Sequence, residues 1–345
     1  MKIIIIGGGI TGLYIGYMLK KYNIDFNIYE KSHYVGGKLY KNRFQIYPHQ
    51  TNIINLLNEL NIEYKYNNIK SHIEYDQKLF DKIQYIYTKD RPIDISVRKF
   101  LIDILTKQEF DLFMTYIMPL KLDQMEISYY MTYQHNNILK INQSNKVIDI
   151  NKELINKLTN PIKNNIILNS DVQQITYMPL TNNYMLTIND TIISADKIIL
   201  TTISNIQLII QKKITNQLYK FKSYNWLKIK YKTDKDKIEQ IDYISSDNDK
   251  LYKSIILNTV SANQLFDVFL KKPILKYTYT NHPRSYFIIN QRPKTNFYID
   301  YNLLLAINYL NTIEGSCIIG KKIVDIILNQ IYSKGSGYLY TICKR

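Results

Sequence analysis

Apolar positions along the chain change period several times, and each change marks an element. Lys2 to Ile6 leads into an unbroken isoleucine run, the pattern of a parallel strand buried on both faces. Ile10 to Tyr22 takes up helical spacing, with Ile10, Leu13, Tyr17 and Leu19 roughly along one side. Phe26 to Glu30 predicts a second short strand, and Asn52 to Leu60 a helix on which Ile53, Leu56, Leu57 and Leu60 recur at helical intervals. Between Ser71 and Gln143 the pattern is mixed. Phe80 to Tyr87 reads as a strand. Ser96 to Met118 reads as one helix, N-capped by Ser96, carrying apolar Phe100, Leu101, Ile104 and Leu105, and closed by Pro119. Asp149 to Leu158 predicts another helix, stopped by Asn160 and Pro161.

The texture then turns to strands. Asn165 to Leu168, Asp171 to Tyr177, Tyr184 to Ile188 and Thr191 to Ser194 are short and rich in β formers, with Asn-Asn and Asn-Asp turns between them. Lys197 to Thr202 is again a strand of the buried type, and Asn225 to Ile289 is β-rich. The last predicted helix is Gly315 to Tyr332, with Ile318, Ile319, Ile323, Ile326, Ile327 and Ile331 on its buried side. With neither an internal repeat nor a low-complexity linker, the domains are expected to interleave.

Composition narrows the class. The 345 residues, 46% hydrophobic and 21% charged, suit one large or two medium globular domains. No stretch approaches the roughly 20 apolar residues of a membrane span, and the opening isoleucine run is too short for a signal-peptide core. A cytoplasmic protein is expected, or a virion protein if the source is viral. Cys317 and Cys343 are the only cysteines and sit in no metal-ligand spacing, so neither a disulfide framework nor a metal site is expected. The net charge of +16 fits an acidic partner, but the abundance of Ile, Lys, Asn and Tyr (32 tyrosines) points instead to an AT-rich genome, such as that of a large virus or a parasite. Lysines 228, 230, 232, 235 and 237 alternate like a solvated strand face, and no nucleic-acid recognition motif accompanies them.

The chemistry-bearing motif lies at the start. Gly7, Gly9 and Gly12 form G-x-G-x-x-G between a predicted strand and a predicted helix. In that context the first glycine makes the tight turn, the second admits a pyrophosphate, and the third lets helix and sheet pack closely. Glu30 ends the second strand, near the distance of about 20 residues expected of an acid that accepts ribose hydroxyls. Gly36, Gly37 and Lys38 follow. Glycine pair and acid together resemble the E-x-x-x-x-x-G-G-R signature of the flavin-containing amine oxidase superfamily, the group of monoamine and polyamine oxidases, protoporphyrinogen oxidase and phytoene desaturases. Lys38 replaces the usual arginine, keeping a cation but losing the bidentate fork.

Two further stretches resemble the same family. Ile166 to Ile175, with the later Ala195-Asp196-Lys197-Ile198-Ile199, is similar to its middle region, where Val172 matches a valine that meets the adenine through its backbone. Ile313-Glu314-Gly315-Ser316, with Gly320 beyond, is similar to a segment whose helix start faces the flavin pyrimidine edge. The resemblance implies an α/β fold: an FAD-binding Rossmann-like domain with a parallel sheet and β-meander, plus an interleaved mixed α/β substrate domain. It sets the FAD-binding segments at 1–70, 146–215 and 291–335, the substrate segments at 71–145 and 216–290, and a tail at 336–345. It implies non-covalent FAD and an oxidoreductase that passes a hydride from a substrate C–H to flavin N5, with oxygen as reoxidant. The substrate would be a small molecule, an amine on the family's pattern.

The sequence also departs from the pattern. Phe297 to Asn311 contains no glycine where the family has Gly-Glu or Gly-Asp. Asp300 takes the acid's part if the strand ends early, and Asn308 if it ends late. Tyr309 matches one wall of the oxidase aromatic cage, but Thr312 stands at the other. Lys228 matches the lysine that holds a water near flavin N5. His49 sits where UDP-galactopyranose mutases, relatives with the same nucleotide fold, carry a histidine near the flavin. These departures leave two alternatives: a non-catalytic structural or interaction protein on the same fold, and a mutase-like flavoenzyme. The latter needs arginines for a substrate diphosphate, for which Arg284 and Arg292 are the nearby pair.

Overall fold

Four consecutive isoleucines make the first strand, β1 (Ile3–Ile6), and all four are buried because neighbouring strands and helices cover both faces. The structure is a computed structural model. It describes residues 1–41, 44–68, 76–92, 95–116, 127–136, 140, 144, 146–150, 152–202, 206–210, 213–215, 220–232, 238–246, 274–288, 298–300, 302–306 and 313–332. Helix α1 (Ile10–Lys21) follows β1, and β2 (Phe26–Tyr29) returns parallel to it, Ile3 opposite Phe26 and Ile6 opposite Tyr29. Next come α2 (Lys38–Lys41), β3 (Phe44–Ile46), α3 (Thr51–Glu59) and β4 (Asn67–Asn68). Helix α3 buries Ile53, Leu56 and Leu57, the stripe expected from their spacing.

The next stretch corrects two expectations. Residues 80–87 are helical, not extended: α4 runs Gln77–Asp90. Asp76 caps it, accepting from the N–H groups of Lys78 and Leu79 at 3.0 and 3.3 Å, and Leu79, Phe80 and Ile83 form the buried stripe. Ser96 does cap a helix, accepting from Lys99 N at 3.2 Å, but the expected single helix is two: α5 (Val97–Ile104) and α6 (Lys107–Tyr116). The break has a local cause. Thr106 and Glu109 form a capping box, Glu109 N donating to Thr106 Oγ1 at 3.2 Å and Thr106 N to Glu109 Oε2 at 2.8 Å. Met118 and Pro119 lie outside the described residues. Helix α7 (Ile127–Tyr129) leads into a π-helical turn, Tyr130–His135.

The helix expected from Asp149 begins later. Lys146–Ile150 is strand β5, paired with β3 and β4, and α8 is Glu153–Thr159. The α-helix does end where expected, at Thr159 before Asn160 and Pro161; the chain continues as a 3-10 helix, Asn160–Asn165, with Pro161 in its first turn, where a missing N–H costs nothing. Then come β6 (Ile166–Ile167), β7 (Val172–Met178), β8 (Asn183–Ile188), β9 (Thr191–Ala195), β10 (Lys197–Leu200), β11 (Gln207–Ile210) and β12 (Lys213–Thr215). The β8–β9 hairpin turns on Asn189 and Asp190, both at positive φ (44° and 66°), the backbone of a tight two-residue turn. Long strands β13 (Lys220–Lys232), β14 (Ile238–Ser246) and β15 (Ile274–Ile288) precede β16 (Tyr298–Asp300), β17 (Leu303–Leu305) and α9 (Ile313–Tyr332).

The chain divides into two compact units. The first comprises Met1–Lys70, Ser144–Leu218 and Lys294–Arg345; the second comprises Ser71–Gln143 and Tyr219–Pro293. In the first unit a six-stranded sheet runs β16-β17-β10-β1-β2-β6, parallel except for β16 at its edge. A five-stranded sheet, β12-β11-β7-β8-β9, carries the antiparallel meander β7–β8–β9. The core of this unit packs β1 and β2 against α1, α3, α8 and α9 through Ile3, Ile5, Leu13, Ile15, Ile28, Leu57, Leu154 and Ile323. The second unit contains the sheet β14-β13-β15 and a helical core around Phe80, Leu101 and Phe113.

Candidate functional site

Strand β1 has β2 on one side and β10 on the other, so the chain leaves its end at the point where the sheet's order reverses. A crevice at the carboxyl ends of the strands forms there in open α/β sheets. The turn that fills it is held from two directions. Gly7 N donates to Tyr29 O at 2.9 Å, and the Thr201 hydroxyl, just past β10, lies 2.8 Å from Ile6 O and 3.1 Å from Gly7 O as their donor. Gly7 has φ +107°, a conformation that favours glycine. A Cβ on Gly12 would stand 2.0 Å from Gly7 O, so α1 starts this close to the strand only because residue 12 has no side chain.

Gly9 is different. Its backbone, φ −72° and ψ 177°, is open to any residue, and a Cβ built there meets nothing within 4 Å. Among the described residues, neither conformation nor packing requires glycine at this position. What the missing side chain leaves is clear access to the start of α1, which has no side-chain cap and no acidic residue in its first turn. Its N–H groups and positive end are thus available to an anion.

Glu30 faces the same turn. Its Oε2 accepts from Gly8 N at 2.6 Å and its Oε1 from Ser32 N at 2.9 Å. A Cβ on Gly8 would come within 3.1 to 3.2 Å of the Glu30 side chain, so the middle glycine of the run makes room for the carboxylate. Gly36 N donates to Gly8 O at 2.7 Å, and Gly36 and Gly37 turn at positive φ (98° and 55°) beside Gly9. Gly7, Gly9, Gly12, Glu30, Gly36 and Gly37 therefore meet in one place. Lys38 begins α2 next to them. The approach to Val172 runs alongside Glu30: Glu30 N donates to Ile167 O and Ser170 N to Glu30 O, both at 2.9 Å. Val172 itself is buried at the start of β7.

A second set of contacts ties in the chain's last helix. Glu314, in the first turn of α9, is 9% exposed, and its carboxylate accepts from Asn52 Nδ2 (2.6 Å), Ile53 N (2.8 Å) and Asn52 N (3.2 Å). It thereby closes the amino end of α3. Next to it, buried Thr11 donates its hydroxyl to Ser316 Oγ at 3.0 Å, joining the first turns of α1 and α9. Gly315 lies buried between Glu314 and Ser316. The starts of α1, α3 and α9 are thus linked, and of the three α1 has neither a side-chain cap nor an acidic residue in its first turn. Burial raises the Cys317 thiol's pKa, keeping it protonated in the same turn, and Glu314 adds to the effect. Replacing Glu314 by alanine strands three donors in a buried site. The expected loss is about 1–3 kcal/mol, read as a shift of the urea midpoint, with glutamine recovering part of it.

Other candidates lie elsewhere. Asp300 ends β16, its backbone in register with Leu303 of β17. Lys228 is in the second unit, mid-β13, opposite Asp242 of β14 and Thr278 of β15, and Arg284 is on β15. Tyr309, Asn308, Thr312 and Arg292 lie outside the described residues. His49 is partly buried in the turn before α3, its ring nearly parallel to that of Tyr47 at 6.0 Å. Among the described residues no group of three or more His, Cys, Asp or Glu is placed to hold a metal, and no helix is long and apolar enough to cross a membrane. The roles of Thr201, Asn52 and Thr11 escape sequence reasoning, since their partners are far away along the chain; the nearest signal is Thr201's position directly after a buried parallel strand.

Residues 5–70 match the NAD(P)-binding Rossmann-like domain family. No curated protein matches the sequence. Among solved structures the chain is similar to putrescine oxidase bound to putrescine, at 12% identity over 95% of this chain and 99% of that one, with a TM-score of 0.70. It is also similar to cyclohexylamine oxidase from Brevibacterium oxydans IH-35A, at 10% identity over 96% and 99% of the two chains (TM-score 0.71). A third similar structure is a CLA-producing fatty acid isomerase from P. acnes, at 13% identity over 94% and 97% (TM-score 0.66). The chain has the fold of the flavin-containing amine oxidase superfamily, as the glycine and Ile-Glu-Gly-Ser motifs implied.

Proposed function

We propose that the chain binds FAD without a covalent link and is an FAD-dependent oxidoreductase of the amine oxidase kind, acting on a small molecule. The observation that carries this reading is Gly9: a glycine that no torsion and no contact among the described residues explains, set before an uncapped helix start and beside a carboxylate. An anionic pyrophosphate next to a ribose is the group that uses all three. The residues fit FAD. Gly9 and the first turn of α1 would hold the pyrophosphate, Glu30 would accept ribose hydroxyls, and Val172 would meet the adenine through its backbone. Lys38 would add positive charge. The start of α9, at Glu314 and Gly315, would favour negative charge at the flavin's pyrimidine edge. Asp300 is the acid for the ribityl chain.

When bound, FAD supplies the hydride acceptor, with oxygen as its reoxidant and peroxide as product. The chain's part is positioning and electrostatics. Lys228 is assigned to hold a water in place, and Tyr309 to form one wall around an amine. Alanine at either position is expected to slow reduction by substrate about tenfold or more while leaving FAD affinity unchanged, as stopped-flow bleaching and flavin titration would report.

One observation favours a second reading, a non-catalytic protein on the same fold: the absence of any glycine from Phe297 to Asn311, where the family carries its ribityl acid. A single experiment addresses both. Purified protein should be yellow, or should take up added FAD with a rise in melting temperature. Anaerobic bleaching by a panel of amines supports the oxidase. Bleaching by dithionite alone leaves the non-catalytic reading standing, and colourless protein that ignores FAD overturns both forms of FAD binding.

A further inference from the structure

Among the described residues, the helical core of the second unit is apolar apart from one place. Four rings there form a closed circuit, with centroids 5.4 Å apart for Phe80 and Phe113, 6.3 Å for Phe113 and Tyr130, 5.6 Å for Tyr130 and His135, and 5.4 Å for His135 and Phe80. None of the four is more than 1% exposed. Two buried polar atoms of these rings, the Tyr130 hydroxyl and His135 Nδ1, have no hydrogen-bond partner among the described residues. The other ring nitrogen of His135 bonds the backbone of Phe80, so the ring is neutral and Nδ1 carries a free lone pair. Tyr130 and His135 are the two ends of one π-helical turn, a rare geometry that recurs at functional sites. A buried acceptor without a partner is a stored cost that a proton and exposure to water would both relieve.

We propose that the ring box of Phe80, Phe113, Tyr130 and His135 is an acid-labile latch: a solvent proton taken up on His135 Nδ1 opens the box and frees the π-helical turn from α4 and α6. The surroundings leave His135 to govern the response. From α4 come Phe80 and the exposed Asp81, from α5 Val97, Phe100 and Leu101, from α6 Phe113, and from the turn Tyr130. Burial lowers the His135 pKa from 6.5 to about 4, outweighing the attraction of Asp81. The surface pair Lys82–Glu109 joins α4 to α6 at 2.8 Å. Lys82 holds the Glu109 carboxyl below its usual range, so this pair stays ionised through the window in which the latch acts.

A histidine whose folded pKa lies below its unfolded value stabilises fully above the unfolded value and progressively less as pH falls toward the folded one. Between about pH 7.5 and pH 5 the opening equilibrium is expected to rise roughly 30-fold. Hydrogen exchange of the full chain, read by mass spectrometry and corrected for intrinsic rates, tests this. Peptides covering 77–90 and 127–136 should lose about 30-fold in protection at the lower pH, and His135→Phe should abolish that pH dependence. Should that variant not fold, exchange at the histidine ring carbon in the unaltered chain reads the protonation of His135 directly. Protection equal at the two pH values overturns the proposal, as does an undiminished loss in His135→Phe, or protonation of His135 near 6.5 without opening.

Discussion

Gly12→Ala is expected to cost the first unit more than about 3 kcal/mol, enough to leave much of a typical domain's 5–15 kcal/mol consumed. The new methyl would stand 2.0 Å from Gly7 O, 3.2 Å from Gly7 C and 3.4 Å from Thr201 Oγ1. Its nearest neighbour is backbone, which cannot rotate away as a side chain can. That backbone is also pinned, with Gly7 N bonded to Tyr29 O and the Thr201 hydroxyl bonded to the turn's carbonyls. Relief would have to come from moving α1 off the sheet, which uncovers Leu13 and Ile15, both fully buried. Overpacking of ordinary core sites costs about 1–3 kcal/mol, and a clash with fixed backbone lies beyond that range. Chemical denaturation of the variant gives the number. A loss under about 1 kcal/mol would mean that the turn is not built this way.

Gly9→Ala separates binding from folding. Three residues away from the first substitution, the same methyl meets nothing and the torsions already suit alanine. Stability without FAD should be unchanged or higher by about 0.4–1 kcal/mol, since alanine has less freedom to lose on folding. FAD affinity should fall about a hundredfold. A methyl in front of the helix start displaces the pyrophosphate from N–H groups whose charge-assisted bonds are worth about 1.5–3 kcal/mol each. Flavin fluorescence titration beside a melting curve gives both quantities in one preparation. Equal FAD affinity in the two proteins would remove the basis for reading Gly9 as a ligand contact.

How far each feature could be read from the sequence follows from how far away its cause lies. The glycine turn was legible because its whole motif sits within 30 residues, an isoleucine strand, three glycines, a helical stripe and an acid; only the Thr201 brace lies far away. The meander was legible for the same reason, since Asn189 and Asp190 announce their hairpin. Phe80 to Tyr87 misled because aromatic and β-branched residues crowd together there; the cap at Asp76 and the stripe of Leu79, Phe80 and Ile83 settle the helix. The break after Ile104 was written locally, as Thr106 and Glu109 at capping-box spacing, yet the apolar residues on either side hid it. Glu314 shows the other limit. Its motif could be recognised, but its bonds go to Asn52 and Ile53, 262 and 261 residues earlier, and no local pattern encodes such a partner.

The order of the six-stranded sheet also bears on how the chain is made. Ile3 pairs with Lys197, and β10 in turn pairs with β17 at Leu303–Leu305. A ribosome adding roughly 5–20 residues per second leaves the isoleucine edge of β1 without its second neighbour for about 10–40 s. The lock between Thr11 and Ser316 has to wait longer still. Over that interval the nascent chain displays the sort of bare apolar strand that invites aggregation. An added holdase is therefore expected to raise the soluble yield, and cell-free synthesis with and without one would show the difference in soluble product. The glycine turn at Gly7 is translated well before Thr201, the residue whose hydroxyl holds it.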